Sequence, residues 1–202
     1  MQKETKKLIL ASQSPRRREL LASLGLPFEV QIPEDFQEIQ DHDGSAHELV
    51  RLNAAGKARA VAAQVKDKEG LVIGVDTVGA LDDHILEKPK DEADAFRMLK
   101  MLQGNTHEVL TAICVIDSGS GREESLIQST QIEFHPMSDS EILAYIATGE
   151  PMDKAAAYAV QGIGALFVKE IRGDFFNVVG LPLSSLRSLL KKFDIDLLDW
   201  VK

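Results

Sequence analysis

The chain is predicted to adopt an α/β fold with a mixed central sheet flanked by helices. Three observations predict it. Short apolar runs of strand type alternate with segments whose apolar residues recur at helical spacing. Hydroxyl or acidic residues stand where the helices must begin. No repeat, low-complexity tract or Gly/Ser linker interrupts the 202 residues, so no hard domain boundary is drawn.

"KLIL" at residues 7–10 reads as a buried strand. Ser14 and Pro15 then start a helix, with a hydroxyl at the N-cap and proline at the first helical position, running through Leu20, Leu21 and Leu24 to a stop near Gly25. "FEVQI" is a second strand, and Ser45 with Glu48 forms a capping-box pattern before a helix through Leu49, Leu52 and Ala58. "LVIGVDTVGAL", residues 71–81, has a continuous apolar run before Asp76 and reads as a central strand buried on both faces. A turn at Asp82 and Asp83 leads to a helix capped by Asp91, with Ala95, Met98, Leu99 and Leu102 on its apolar side. "HEVLTAICVID" and "SLIQSTQIEF" are strands joined by the turn "SGSGREE". Ser138 and Glu141 make a further capping box before "ILAYIATG". "ALFVKEIRGDFFNVVG" reads as two strands around Arg172-Gly173-Asp174, and "LSSLRSLLKKF" as a closing helix. The order of the strands is not readable from these patterns.

Lys and Arg number 23 against 32 Asp and Glu, a net charge of −9. That balance argues against general attraction to a nucleic acid polymer or an anionic membrane, so any anion must be gripped locally. A single cysteine, Cys114, lies in an apolar run and reads as buried, suiting a reducing compartment. "MQKETKK" leads into too few apolar residues for a signal sequence or membrane span. The expected location is cytoplasmic.

The chemistry starts at "SQSPRRREL", residues 12–20. Arg16, Arg17 and Arg18 occupy the first turn of a helix, whose free N–H groups and macrodipole already make that end positive. An anion such as a phosphate would resolve the conflict, gripped by backbone donors, the hydroxyls of Ser12 and Ser14 and guanidinium forks. Three successive side chains cannot face one ligand, so Arg18 is expected to be the spectator. The bland alternative is a solvated helix start. Asp76, followed by Thr77, is a lone carboxylate ending the most apolar strand; such a group binds a metal, pairs with a cation, takes a proton in catalysis or caps a loop. Lys88, before Pro89, either reaches back to a phosphate or stays on the surface. Residues 148–168 combine Gly149, Pro151, Gly162 and Gly164 with the polar Asp153, Lys154 and Gln161, a composition suited to close backbone approach to a ligand or to a plain structural loop. Neither a Walker A pattern, a G-x-S-x-G elbow nor a zinc-type histidine pair is present.

Taken together, "LILASQSPRRRELL", "GVDTVGALDDHILEKPKDEADAFRML", "GEPMDKAAAYAVQGIGALFV" and "GDFFNVVGLPLSSL" closely resemble the Maf family of nucleotide pyrophosphatases. The resemblance implies a single domain over residues 1–202, two lobes around a central cleft, similar to inosine-triphosphate pyrophosphatase-like folds. It implies hydrolysis of a nucleoside triphosphate to the monophosphate and pyrophosphate, with a divalent metal cation, Mg or Mn. By motif, Asp76 corresponds to the general base, and Ser12, Ser14, Arg17, Lys57 and Lys88 to substrate-binding positions. Glu38 and Asp76 would hold the metal, with Glu34 the reserve for the early acidic ligand. Arg16, Thr77 and Gln161 match the branch acting on dTTP and UTP, removing unwanted or modified pyrimidine nucleotides. A Gln amide offers a donor and an acceptor to a uracil or thymine edge. The family's Lys-Ala-Gly-Ala-Tyr is here Lys154-Ala155-Ala156-Ala157-Tyr158, which lacks the glycine. The resemblance leaves a homodimer open, and also a non-catalytic nucleotide-binding regulator of cell division or the same chemistry on noncanonical purines.

Overall fold

The computed structural model describes residues 6–40, 42–65 and 69–200; the first five residues of "MQKETKK" lie outside them. The elements run β1 (Lys7–Ala11), α1 (Pro15–Ser23), β2 (Phe28–Val30), α2 (Ala46–Gln64), β3 (Gly70–Leu81), β4 (His84–Leu86), α3 (Glu92–Leu102), β5 (Thr106–Asp117), β6 (Glu123–Phe134), α4 (Asp139–Ile146), β7 (Val168–Arg172), α5 (Phe175–Val179) and α6 (Leu183–Lys191). They form one mixed sheet in the order β2-β1-β3-β5-β6-β7, with β4 paired to β3. β1 runs parallel to β2 and β3, whereas β3, β5, β6 and β7 pair antiparallel in turn. No helix among the described residues is long and apolar enough to cross a membrane.

The period-two alternation of β3 assigns its residues to two cores. Leu71, Ile73 and Val75 pack with Leu8, Leu10 and the α6 residues Leu186, Leu189 and Leu190 on one face. Val72 and Val78 pack with Leu49, Val50, Ala54, Ala58 and Val61 of α2 on the other. Each fully buried Leu or Val contributes roughly 1.5–3 kcal/mol. A third core joins α3 and α4 to the ends of β5 and β6, including Leu99, Ile132, Phe134 and Tyr145. Cys114 is fully buried, and desolvation pushes its thiol up to about 12.

One feature of the α2 face sets the depth of everything near it. A Cβ at Gly74 would lie 2.2 Å from the Ala54 carbonyl and 2.7 Å from the Ala58 nitrogen. Only glycine lets α2 press this closely onto β3.

Several sequence expectations need amending. Gly173 and Asp174 are followed by α5, not a second strand, because the Asp174 carboxylate accepts from the Phe176 and Asn177 amides and starts a helix that Gly180 ends at φ 117°. Aromatic and β-branched residues in "FFNVV" favour strand locally, and the cap overrides them. Ser14 does occupy the N-cap of α1, but its hydroxyl makes no cap. At α2 only half the capping box forms: Ser45 accepts from the Glu48 amide, while the Glu48 carboxylate sits 3.5 Å from His42. The Ser138–Glu141 box is complete. "FEVQI" yields only the three residues of β2, and β4 is an extra short strand after the Asp82 turn.

Candidate active site

A cleft of about 810 Å³ opens above the middle of the sheet, between the start of α1, the segment 33–40, the 85–90 loop and the segment 153–161. Its position follows from β3. Asp76 has the parity of Val72 and Gly74 and so faces α2, while Thr77 faces the opposite side with Thr111, its register partner on β5. Consecutive residues of one strand therefore address two different environments.

On the α2 side, Lys57 is 6% exposed and its ammonium lies 2.7 Å from Asp76 Oδ1 and 2.6 Å from Glu38 Oε1. Asn53, one helical turn earlier and also buried, places Nδ2 3.5 Å from Asp76 Oδ2. Its amide further clamps the backbone of Ile39, accepting from the Ile39 N–H at 2.8 Å and donating to its carbonyl at 3.1 Å. Phe36 lies on α2 at Gly56, where a Cβ would stand 2.1 Å from the ring. Asn53 and Phe36 thus hold the segment that carries Glu38. Burial would raise the Glu38 pKa, but Lys57, with Lys88 and Arg17 behind it, more than offsets this and holds the carboxyl below its usual range. Of the two early acidic candidates, Glu38 lines the cleft and Glu34 does not.

On the other side, Arg17 is held by four hydrogen bonds, all to uncharged oxygens. Nε donates to the Gly180 carbonyl at 2.9 Å, Nη1 to Ser12 Oγ at 3.2 Å and the Val75 carbonyl at 3.0 Å, and Nη2 to Thr77 Oγ1 at 2.9 Å. One of its five N–H donors remains beyond these contacts. Thr77 Oγ1 is in turn 2.9 Å from Thr111 Oγ1, which donates to the Asn177 carbonyl. Burial lowers the Arg17 pKa, opposed by the carboxylates of Asp76 and Glu38, and the guanidinium remains a cation. The Ser12 hydroxyl, itself buried, also accepts from the Ser14 amide at 3.3 Å.

Apart from the reserve candidate Glu34, the site residues expected from the sequence line this cleft: Ser12, Ser14, Arg16 and Arg17 from α1 and its approach, Glu38 and Lys57, Asp76 and Thr77, Lys88, and Gln161. Arg18 is exposed and does not. Lys88 is exposed at the rim near Glu38. Arg16 reaches within 4.0 Å of the Asp153 carboxylate, which also pairs with Lys154. Gln161 is exposed and lines the cleft. Sequence reading missed Asn53; its signal was a buried amide four residues before Lys57 in the otherwise small-residue run "NAAGKARA".

At the missing glycine of the late motif, Ala156 adopts φ 60° and Ala157 φ 59°, the left-handed region that L-residues enter at a cost of roughly 1–2 kcal/mol each. The surroundings enforce it: the Ala156 amide donates to the Glu87 carbonyl, and the Ala156 methyl occupies the space left by Gly79. This contact ties the 153–161 segment to the loop that carries Lys88.

Among the described residues no three His, Cys, Asp or Glu side chains cluster so as to hold a metal ion by themselves. Glu38 and Asp76 instead offer two carboxylates around one shared cation, a donor set that suits Mg or Mn when a ligand contributes further oxygens.

The family model described as "Maf-like protein" matches residues 7–193. A dTTP/UTP pyrophosphatase of Thermoanaerobacter sp. (strain X514) is 47% identical over 193 residues, covering 95% of this chain and 100% of that protein. A dTTP/UTP pyrophosphatase of Acetivibrio thermocellus is 46% identical, covering 95% and 98%. A solved nucleoside-triphosphatase / dITP/XTP pyrophosphatase of Mycobacterium abscessus is a distant likeness, 14% identical with a TM-score of 0.42 over 95% of this chain and 99% of that one.

Proposed function

The chain belongs to the Maf-like family, and from that premise we propose that it hydrolyses dTTP and UTP to the monophosphate and pyrophosphate. The observation that carries this reading is a single cleft with two unlike cations on its floor. Lys57 is matched by two carboxylates, and Arg17 is held by neutral oxygens alone. The first group can receive a divalent cation, and the second keeps its positive charge for an anion.

In the proposed mechanism the triphosphate lies between the start of α1 and Lys88, with Ser12, Ser14, Arg17 and Lys57 on its phosphate side. Asp76 Oδ1 is engaged by Lys57 at 2.7 Å, whereas among the described residues Oδ2 has only the long 3.5 Å contact to Asn53. Oδ2 is therefore the oxygen that takes a proton from water as that water attacks the α-phosphorus. The bond from the α-phosphorus to the oxygen bridging to the β-phosphorus breaks, pyrophosphate leaves, and the monophosphate keeps the water oxygen. Lys88 and the remaining Arg17 donor stabilise charge that grows on the phosphate oxygens, while Lys57 holds the Asp76 and Glu38 carboxylates beside them. A bound Mg or Mn ion, held by Glu38 and Asp76, would supply charge neutralisation and orientation of the phosphates. Gln161 reads the base edge, and Arg16 and Thr77 are the further substrate-dividing positions.

Incubating the pure protein with each NTP and dNTP plus Mg, and assaying pyrophosphate and orthophosphate, tests the proposal. The expected result is pyrophosphate from dTTP and UTP ahead of all others. Tight binding with no pyrophosphate released would favour a nucleotide-binding regulator instead. A preference for purines would overturn the Gln161 reading.

A further inference from the structure

Residues 159–164 form a short arc with Gln161 near its middle, and both ends of the arc are fastened to one pair of side chains. At the leading end the Ala159 amide donates to Tyr145 Oη at 3.1 Å. At the trailing end the Ile163 amide donates to Glu150 Oε1 and the Gly164 amide to Glu150 Oε2, both at 2.9 Å. Tyr145 Oη closes the unit by donating to Glu150 Oε2 at 2.6 Å. The phenol is 2% exposed, on an α4 helix fixed by its complete capping box, and its ring packs edge-on against Phe167 at 5.2 Å. Tyr145 therefore anchors the arc to the core, while Glu150 and the arc itself lie nearer the surface.

Both glycines of "QGIG" are explained by this fastening. A Cβ at Gly162 would lie 1.9 Å from Glu150 Oε1, and one at Gly164 2.6 Å from Tyr145 Oη. Any side chain at either position would expel the carboxylate or the phenol from the backbone it binds. The two ends are held by charge-assisted or buried hydrogen bonds, the kind that fix geometry most tightly.

We propose that Glu150 and Tyr145 are positioning residues for base selection, holding the arc so that the Gln161 amide meets the nucleobase in one orientation. This rests on the reading of Gln161 as the base-recognising residue. Neither side chain touches the phosphates or Asp76 in the arrangement described above, so their loss should act on recognition and not on the chemical step.

The test compares Gln161→Ala, Tyr145→Phe, Glu150→Gln and the double variant Tyr145→Phe/Gln161→Ala, measuring kcat and KM for UTP, dTTP and GTP with Mg, alongside Tm. Tyr145→Phe keeps the ring packing and loses both oxygen contacts; Glu150→Gln can accept from only one of the two amides. Each should raise KM for UTP and dTTP about tenfold, the size of one specific hydrogen bond, with kcat within about threefold and a smaller UTP-to-GTP ratio. The double variant should match Gln161→Ala alone, because an arc without its glutamine has nothing left to orient. A uniform fall in kcat for all three nucleotides with an unmoved UTP-to-GTP ratio would reduce the pair to a structural role and overturn the proposal. If Gln161→Ala itself leaves the ratio unchanged, the base reading fails first. If it shifts the ratio and neither positioning variant does, only the present inference fails. Should Tyr145→Phe not fold, Glu150→Gln alone decides on the same ratio.

Discussion

Lys57 and Arg17 are both withdrawn cations on the floor of the same cleft, yet they are compensated in opposite ways. The Lys57 ammonium has two carboxylates within 2.7 Å, and the Arg17 guanidinium has two backbone carbonyls and two hydroxyls. A buried ion pair is a closed electrostatic unit, whereas a charge solvated by neutral dipoles keeps its long-range field. One strand therefore builds a negative-leaning pole at Asp76 and a positive pole beside Thr77, one residue apart. The separation suits a ligand that brings a cation to one pole and phosphate oxygens to the other.

The comparison is broken most severely by removing the carboxylate that anchors the first pole. Asp76→Asn is expected to lower turnover by about 10²–10⁴-fold, the range for losing a general base, while triphosphate binding measured by calorimetry persists. Near-normal turnover would remove Asp76 as the base. Next in size is Arg17→Met, which strands four acceptors and should lower stability by about 3 kcal/mol in denaturant titrations, equally with Mg or with EDTA. Arg18→Ala, on the exposed side of α1, should stay within about 0.5 kcal/mol and leave turnover intact. If it damages turnover as much as Arg17→Met, the assigned geometry of the first turn is wrong.

Lys57→Met sharpens the contrast further. It leaves Glu38 and Asp76 facing one another without a cation, so its Tm should fall in EDTA and recover with Mg or Mn by more than the wild type gains. Equal metal responses in the two proteins would show that the carboxylates are not a metal site. A small effect is expected in acid. Because the folded Glu38 pKa lies below the usual 4.5, its contribution is complete above pH 4.5 and is lost as pH falls through the lowered value. Glu38 is nearly half exposed, so the contribution stays under about 1 kcal/mol. Glu38→Gln should flatten that part of the Tm profile below pH 4.5.

Much of the site was legible because its residues obey strong local rules. Asp76 stood out as a carboxylate in an apolar strand, and Ser14-Pro15 and Asp91 marked helix starts that the structure contains. What stayed hidden depends on distance along the chain. Arg17 is fixed by partners at positions 12, 75, 77 and 180, a set no window of sequence could assemble. Glu150 carries no signal in the sequence, because its bonds are to the amides of residues 163 and 164, far along the chain. At α5 the strand-prone side chains of "FFNVV" hide a helix that a single capping aspartate starts.

Gly74 carries a consequence for judging which relatives and variants remain competent. It lies two residues before Asp76 and bears no group that binds or reacts, yet the missing methyl lets Asn53 and Lys57 descend to the carboxylate. A chain with alanine there would keep every charged and polar residue of the cleft and still hold Lys57 out of reach of Asp76. Its defect would be one of distance alone, invisible to any inspection that checks only whether the reacting residues are present.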